Sequence, residues 1–360
     1  MASKSSALGL YVDAEGNFTT ISDIPMPELE DDEILVKVLY SGVNPADCKH
    51  STVIGIKSTI MGYDFCGEVV KVAGPKTQGF SPGDIVGGFT LATLGKPLKY
   101  GAHQEYLATP VELAFHVPAN LPHTDAAALT TVVTTAADGL YNQFGLPLIG
   151  ESPSTQSEVK MGPLLIWGGS TGVGLSMLQL ARASGISPIF VTASPKRHAL
   201  LQKYGATACF DYAAPDVMSQ IQSAVDKAGM GPIAYAADCA GAMGSAMQMK
   251  ACVGDDALLL SVMPMQDSCF KFPLALKSRT LTFQFPGAPT TTEIPGQPEE
   301  WAKMRKALEW AVKNYGSGFS LPLVEVFKGS TDELLQAIKL TAEAGRFGKL
   351  VIQHPLLPTA

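Results

Sequence analysis

The chain contains no C-x-x-C pair, no run of lysine and arginine, and no apolar stretch of the roughly 18 residues that a membrane span requires. Each absence excludes a class of function. The six cysteines (Cys48, Cys66, Cys209, Cys239, Cys252 and Cys269) stand singly, a pattern that reads as small buried core residues. Charged residues make up only 16% of the chain, and acids outnumber bases to give a net charge of −7. Phosphate backbones are held by concentrated Lys and Arg, so a nucleic-acid partner is not expected. The opening residues, "MASKSSALGLYVDAEG", carry no apolar core of the kind a secretory signal needs, and the expectation is a cytoplasmic protein without a membrane span.

What is present is a chain of 360 residues, 46% hydrophobic, long enough for two domains with their own cores. Its character changes near residue 125. Before that point, short apolar runs such as "EILVKVLYSGVNP", "DFCGEVVKVAGP" and "FSPGDIVGGF" each end in Gly, Pro, Asn or Asp, as strands of a barrel-like domain do. Beyond it the rhythm is strand and helix. Strands are expected at 164–167, 188–192, 208–212, 234–238, 257–263 and 281–285, with helices near 173–184, 196–204, 215–228 and 242–253. Apolar strands separated by helices predict a doubly wound parallel sheet covered on both faces.

A further helix in "PEEWAKMRKALEWAVKNY" has Trp301, Met304, Leu308 and Ala311 on one face. The tail helix opens with Asp332 and Glu333 and stops at Gly345 before a last strand, which is assigned back to the first domain. The fold class is therefore α/β: a β-rich domain over 1–125 and 320–360, and a parallel-sheet domain over 126–319. The polar segment 149–163 reads as a surface loop.

One connection in the second domain carries chemistry. In "LLIWGGSTGVGLSMLQLARA" an apolar strand runs through small residues into a helix, with Gly169, Gly172 and Gly174 in G-x-x-G-x-G spacing. Glycines let such a turn bend sharply, approach a pyrophosphate, and pack the helix on the sheet, while the helix N-terminus offers free amides. The turn Gly169-Ser170-Thr171-Gly172-Val173-Gly174 is the candidate cofactor cradle; the bland alternative is a β-turn-α connection with no ligand. The next strand ends in "FVTASPKRH". NAD sites place an acid there for the ribose hydroxyls, whereas this segment supplies Ser194, Lys196 and Arg197. A hydroxyl and two cations suit a 2′-phosphate, so NADPH is the expected cofactor, against a merely solvated first helical turn.

In order along the chain, "SGVNPADCKH", "GYDFCGEVV", "FSPGDIVGGF", "YGAHQEYL", "AAALTTVVTTAADGLY" and the glycine turn resemble the medium-chain dehydrogenase/reductase superfamily. The resemblance covers essentially the whole chain. It implies a GroES-like β-rich catalytic domain joined to a Rossmann domain. The zinc alcohol dehydrogenases of that superfamily have Cys where Asn44 stands and Gly-His-Glu where Gly62-Tyr63-Asp64 stands, so the resemblance is to the zinc-free branch and no metal is expected. Within that branch, "NPADCKH", "GGST", "FDYAAP", "FPGAP" and "FGKLV" look like landmarks of the trans-acting enoyl reductases that partner fungal polyketide synthases. The glycine turn itself is closer to that of quinone reductases.

That likeness implies site residues. Ala46, Asp47, Cys48 and Lys49 would border the nicotinamide-ribose end of the cofactor, with Cys48, like Cys66, otherwise a structural thiol. Tyr212 would touch the adenosine side or pack as an ordinary strand end. Ser261 and Val262 would lie near the nicotinamide amide, and Phe347 and Gly348 would make a late cofactor contact. Thr134, Thr135 and Ala136, with Phe285, Pro286, Gly287, Ala288 and Pro289, would line the substrate pocket. Lys49 and Thr135 are the candidate catalytic groups: Lys49 either holds the ribose and polarises a thioester oxygen or is a loop lysine, and Thr135 either donates to a carbonyl or caps a helix.

The activity implied is NADPH-dependent reduction of the α,β-double bond of a polyketide thioester tethered to the carrier protein of a polyketide synthase. A stand-alone quinone or enone reductase, and a cofactor-binding protein without chemistry, stay open beside it. So do the monomer and the homodimer. An acidic carrier would need a basic face, for which Lys271, Lys277 and Arg279 or Lys303, Arg305 and Lys306 are the candidates.

Overall fold

The computed structural model describes residues 7–75, 79–151 and 162–358. The loop expected over 149–163 therefore falls mostly outside the described residues, as do the first six residues of the chain. In chain order, β1 (Gly9–Val12) and β2 (Phe18–Ile21) are followed by β3 (Glu33–Gly42), α1 (Ala46–Val53), β4 (Thr59–Ile60) and β5 (Asp64–Val72). Next come β6 (Ile85–Phe89), β7 (Tyr106–Pro110), β8 (Ala114–His116) and α2 (His123–Ala137). Strand and helix then alternate through β9 (Leu164–Trp167), α3 (Gly172–Ala183), β10 (Ile189–Thr192), α4 (His198–Tyr204), β11 (Ala208–Phe210) and α5 (Val217–Ala228). β12 (Tyr235–Asp238), α6 (Ser245–Lys250), β13 (Leu258–Ser261) and β14 (Phe270–Lys271) complete that run. The remainder is β15 (Leu281–Phe283), β16 (Thr292–Ile294), α7 (Pro298–Lys313), β17 (Val324–Phe327), α8 (Thr331–Ala344) and β18 (Lys349–Gln353).

The chain divides into two units, one of residues 1–131, 276–298 and 321–360, the other of 132–275 and 299–320. The first is built on β3. Strand β5 lines one edge of β3, while the opposite edge is shared by β7 along Glu33–Lys37 and by β18 along Tyr40–Gly42. The register of β3 on β5 shifts twice, between Leu35/Val36 and Val38/Tyr40, a local disruption of the ladder that bends a strand. The inward residues Ile34, Val36, Val38, Phe65, Val69, Val86 and Leu107 form one apolar core, each almost fully withdrawn from water. Burial of a side chain of this size contributes about 1.5–3 kcal/mol. Gly42 has to be glycine because an added Cβ would sit 2.1 Å from the Ala127 carbonyl oxygen of α2.

A second core in this unit joins Leu10, Val43, Cys48 and Met61 to Leu334, Ile338 and Ile352 of the chain's last quarter. Helix α8 begins with a capping box, in which the Glu333 amide donates to Ser330 Oγ and the Ser330 amide donates back to Glu333 Oε2.

The second unit holds a parallel sheet in the order β11-β10-β9-β12-β13-β14. Its strands β9, β10 and β12 are buried along their whole length, as parallel strands covered by helices on both faces require. Helix α5 buries Val217, Ile221 and Val225 at helical spacing, and α7 buries Trp301, Met304, Leu308 and Ala311.

The strand expected at 281–285 as the sixth of this sheet is corrected. Leu281–Phe283 pairs antiparallel with Thr292–Ile294 inside the first unit, and the sixth parallel strand is the two-residue β14. The segment 276–298, placed in the cofactor domain from sequence, accordingly stands with the β-rich unit. An apolar run between turn residues marks a strand but does not say which partner it takes.

Candidate active site

The parallel registers of the second unit bring Phe210, Thr192, Trp167, Asp238 and Ser261 into one row at the C-terminal ends of five neighbouring strands. Open α/β sheets bind ligands at that edge. The glycine turn leaves it from Trp167. Gly168 has φ +82, and a Cβ there would meet Ala240 at 2.8 Å. A Cβ on Gly174 would lie 2.4 Å from the Gly168 carbonyl oxygen, and one on Gly169 would strike Val191 at 2.0 Å.

Thr171 is the N-cap of α3. Its hydroxyl accepts from the Gly174 amide at 3.1 Å and donates to the Cys239 carbonyl at 3.0 Å, so it is spent on structure. The first helical bond runs from the Leu175 amide to the Thr171 carbonyl. The amides of Gly172 and Val173 thus have no acceptor within the helix, and they face out at the positive end of its dipole. These backbone donors lie on a turn with no room for a Cβ at Gly168, Gly169 or Gly174, and donors of this kind fit a pyrophosphate.

Along the same edge, Ser194 is half-buried, Lys196 exposed and Arg197 half-buried at the end of β10. The His198 ring bonds the Ala193 carbonyl at 2.9 Å and holds that turn. Tyr212 lies two residues past β11 with 48% of its surface exposed. Beyond β12, Asp238 accepts from Ser245 Oγ at 2.9 Å, from Ser261 Oγ at 3.0 Å, and from the Ala240 and Gly241 amides. Burial raises its carboxyl pKa against the lowering by these bonds. The Ser261 side chain is therefore occupied, and so is the Val262 amide, which donates to the Asp238 carbonyl at 3.0 Å, so that only carbonyl oxygens of this strand end are left for a ligand. Asp238 was not among the residues singled out from the sequence; an acid ending a buried strand was the available signal. In the same unit, Thr134 and Thr135 are both buried on α2.

The first unit holds a different kind of site, made of side chains. Lys349 Nζ donates to the Val43 carbonyl at 2.9 Å and to Asn44 Oδ1 at 2.5 Å; Asn44 Nδ2 donates to Asp64 Oδ2 at 2.9 Å. Asp64 Oδ1 accepts from the Thr131 amide and hydroxyl at 3.0 and 2.6 Å. Burial pushes the Asp64 carboxyl up and the Lys349 ammonium down, and each charge opposes the other's shift.

Asp47 takes the Asn44 amide at 2.7 Å and faces His103 at 3.3 Å; Ser41 then bridges His103 and His354 at 2.9 and 2.8 Å. Burial, with the His103 charge, lowers His354 to about 3. On the far side of Asp47, His50 Nδ1 pairs with the Tyr63 hydroxyl at 2.7 Å, Tyr63 stacks on Phe89, and Lys96 Nζ sits 4.5 Å over the Tyr63 ring.

Several residues expected at the site converge here. Ala46–Lys49 form the first turn of α1, and Phe347 and Gly348 precede the lysine that bonds Val43 and Asn44. The loop Phe285–Pro289 follows β15, whose neighbour Gln284 donates its amide to the Ile54 carbonyl just past α1. The Cys48 side chain packs in the core, and burial pushes its thiol up to about 12, as it does for Cys66. Only the Cys48 backbone is left for a ligand. Lys49 is half-buried. Lys96, Lys349, His103 and His354 were missed, because a lone lysine or histidine in sequence gives no sign that it is buried. The proposed basic face of Lys271, Lys277 and Arg279 does not survive: Lys277 is buried, Arg279 pairs with Glu112 at 2.9 Å, and Lys271 bonds the Gln143 carbonyl.

Residues 30–119 match the alcohol dehydrogenase GroES-like domain, and residues 172–310 match the zinc-binding dehydrogenase domain. The trans-enoyl reductase resD of Aspergillus sclerotiorum is 35% identical over 232 residues, 61% of this chain and 62% of that protein, so the match spans about three fifths of that relative's length. The uncharacterized protein YCR102C of Saccharomyces cerevisiae is 34% identical over 259 residues, 67% of this chain and 68% of the relative. In structure, the CurK enoyl reductase superposes with a TM-score of 0.71 over 97% of this chain and 99% of its own at 18% identity, a likeness of fold.

The donor set does not fit the metal in the second domain's description. Asn44 and Tyr63 offer an amide and a hydrogen-bonded phenol where zinc takes thiolate and imidazole. Among the described residues no group of three or more His, Cys, Asp or Glu side chains could hold a metal ion. Nor is any described helix long and apolar enough to cross a membrane.

Proposed function

This chain belongs to the medium-chain dehydrogenase/reductase superfamily, and from that premise we propose that it is an NADPH-dependent, zinc-independent enoyl reductase acting in trans on an α,β-unsaturated polyketide thioester. The observation that carries the reading is that Asn44, bonded to Lys349 and Asp64, and Tyr63, bonded to His50, stand where a Lewis acid would need ligands. A metal is the usual means by which zinc alcohol dehydrogenases of this superfamily stabilise an alkoxide. An activated C=C bond needs only a hydride, donors for the enolate oxygen, and a proton.

The amides of Gly172 and Val173 hold the pyrophosphate, while Ser194, Lys196 and Arg197 bind the 2′-phosphate. Tyr212 flanks the adenosine, and backbone groups of Ser261 and Val262 orient the nicotinamide amide. Ala46–Lys49, Phe347 and Gly348 hold the ribose side. When bound, the reduced cofactor supplies a hydride. Lys49 and the Thr135 hydroxyl polarise the thioester carbonyl, and Thr134, Ala136 and the loop Phe285–Pro289 shape the acyl site. The partner is the carrier protein of a polyketide synthase, a reading supported by the trans-enoyl reductase named among its relatives.

The test is an assay of unsaturated pantetheine thioesters of graded length against simple quinones, with NADPH and NADH in parallel. NADPH consumption with addition of two hydrogens across the alkene is the expected result. Fast quinone turnover with inert thioesters would replace this reading with a quinone reductase. Lys49→Ala is expected to lower turnover about 10²-fold, the scale of losing one preorganised donor.

A further inference from the structure

Among the described residues, Lys96 is a buried cation with no carboxylate bonded to it. Only 3% of it is exposed, its one hydrogen bond among the described residues is a 3.4 Å contact to the Gly62 carbonyl, and its Nζ sits 4.5 Å over the Tyr63 ring. An ammonium withdrawn from water is costly unless paired, and proteins keep such groups chiefly where they do chemistry. The charged and titratable groups around it are Asp47, whose field favours the ammonium, and His50 and Tyr63, bonded to each other.

The loop carrying Lys96 is tied down beside the acyl-site loop. The Leu94 amide donates to the Thr282 carbonyl at 2.8 Å, and the Thr282 amide donates to Thr93 Oγ1 at 3.2 Å. β15 then leads directly into Phe285–Pro289. His50, which closes on Tyr63, follows Lys49 in α1.

We infer that Lys96 is the general acid that delivers the α-proton, with the His50–Tyr63 pair positioning its ammonium. The inference rests on the enoyl reductase reading and names the proton source for it. Hydride addition at the β-carbon moves the alkene pair into a thioester enolate. The α-C–H bond then forms as a Lys96 Nζ–H bond breaks, and the neutral amine recovers its proton from water. Burial lowers the Lys96 ammonium to about 7, close to neutrality, where a general acid is most effective.

The test uses the full chain with NADPH and 2-methylbut-2-enoyl pantetheine thioester, whose product carries a stereocentre at the α-carbon. Wild type should give one α-configuration, with kcat/KM falling above about pH 7 as the acid deprotonates. Lys96→Met removes the charge, whereas Lys96→Arg keeps a cation that does not release its proton. Both should bind NADPH normally, lower kcat by about 10²-fold, lose the alkaline limb, and give mixed α-configurations as water protonates a free enolate. A merely structural lysine would not move the product configuration. Independently of turnover, 15N-lysine spectra should show one amine titrating near neutrality in wild type and absent from Lys96→Met.

Retention of a single α-configuration with an unaltered pH profile in both variants would overturn the inference, as would the absence of any lysine titrating near neutrality. If wild type binds NADPH yet reduces no unsaturated thioester, the reading of function has failed and the inference goes with it.

Discussion

The two units build their candidate sites in opposite ways. The parallel-sheet unit presents backbone: two helix-terminal amides, a turn with no room for a Cβ, and strand ends aligned by register. The β-rich unit presents side chains drawn from widely separated stretches of sequence, with Asn44, Asp47, Asp64, Lys96, His103 and Lys349 all buried. A backbone site tolerates exchange of its peripheral side chains but not a change of chain path. A buried polar network depends on every member, since each lost partner leaves another unsatisfied in a low-dielectric interior.

If that contrast is right, the largest effects come from the network. Lys349→Met removes the ammonium that bonds Asn44 and balances the Asp64 charge. It should cost about 3 kcal/mol of stability in urea unfolding, the scale for leaving a buried charge uncompensated. Adding Asp64→Asn to that variant should recover part of the loss. A loss below about 0.5 kcal/mol, the level of an ordinary surface change, would mean that the network is not what holds this unit.

Acid should then separate the units. Burial keeps His354 neutral down to about 3 and His50 down to about 4, whereas an unfolded histidine takes up its proton near 6.5. Below pH 6.5 the unfolded chain binds protons that the folded unit refuses. Stability from these groups is therefore complete above that pH and is lost as pH falls toward 4. His354 alone accounts for about 3 kcal/mol between pH 6.5 and 4 at 1.36 kcal/mol per pH unit. All three tryptophans, Trp167, Trp301 and Trp310, lie in the other unit. Hydrogen exchange in β3, β5 and β18 should accelerate before tryptophan fluorescence changes. Coincident transitions would erase the distinction.

The sequence made the backbone site readable and hid the other, for physical reasons. Apolar runs of four to seven residues separated by amphipathic helices located β9 through β13 to within a few residues, and the glycine spacing marked the turn. Pattern alone could not say that 281–283 turns back to pair with 292–294, because an apolar run does not encode whether its partner lies parallel or antiparallel. Nor does a two-residue strand such as Phe270–Lys271 carry any period. Lysine is read from sequence as a solvated side chain. Lys96 and Lys349 are buried only once distant segments close over them, and nothing local announces that closure. The motifs "NPADC" and "GYD" did mark two of the segments, through resemblance and not through periodicity.

A backbone site should yield first to a change of path. Gly174→Ala places a methyl against the Gly168 carbonyl oxygen, which belongs to the main chain and cannot rotate aside. Displacement of the cradle should weaken NADPH binding by about 10²-fold, the scale of an ångström-level misplacement, as read by fluorescence titration. Gly169→Ala, which meets only the Val191 side chain, should cost less. Equal losses would argue that the turn adapts as a whole.

The smallest effect belongs to Lys196, whose exposed ammonium has no bonded partner among the described residues. Exposed ion pairs contribute about 0.2–1 kcal/mol, so Lys196→Ala should raise the Kd for NADPH by between about 1.4-fold and fivefold and leave that for NADH unchanged. The loss should shrink at high salt, because the pair is screened. A loss of tenfold or more that persists in salt would mean that Lys196 is drawn into a desolvated contact with the 2′-phosphate. The second site would then rest on a side chain as critically as the first, and the division between the two units would no longer hold.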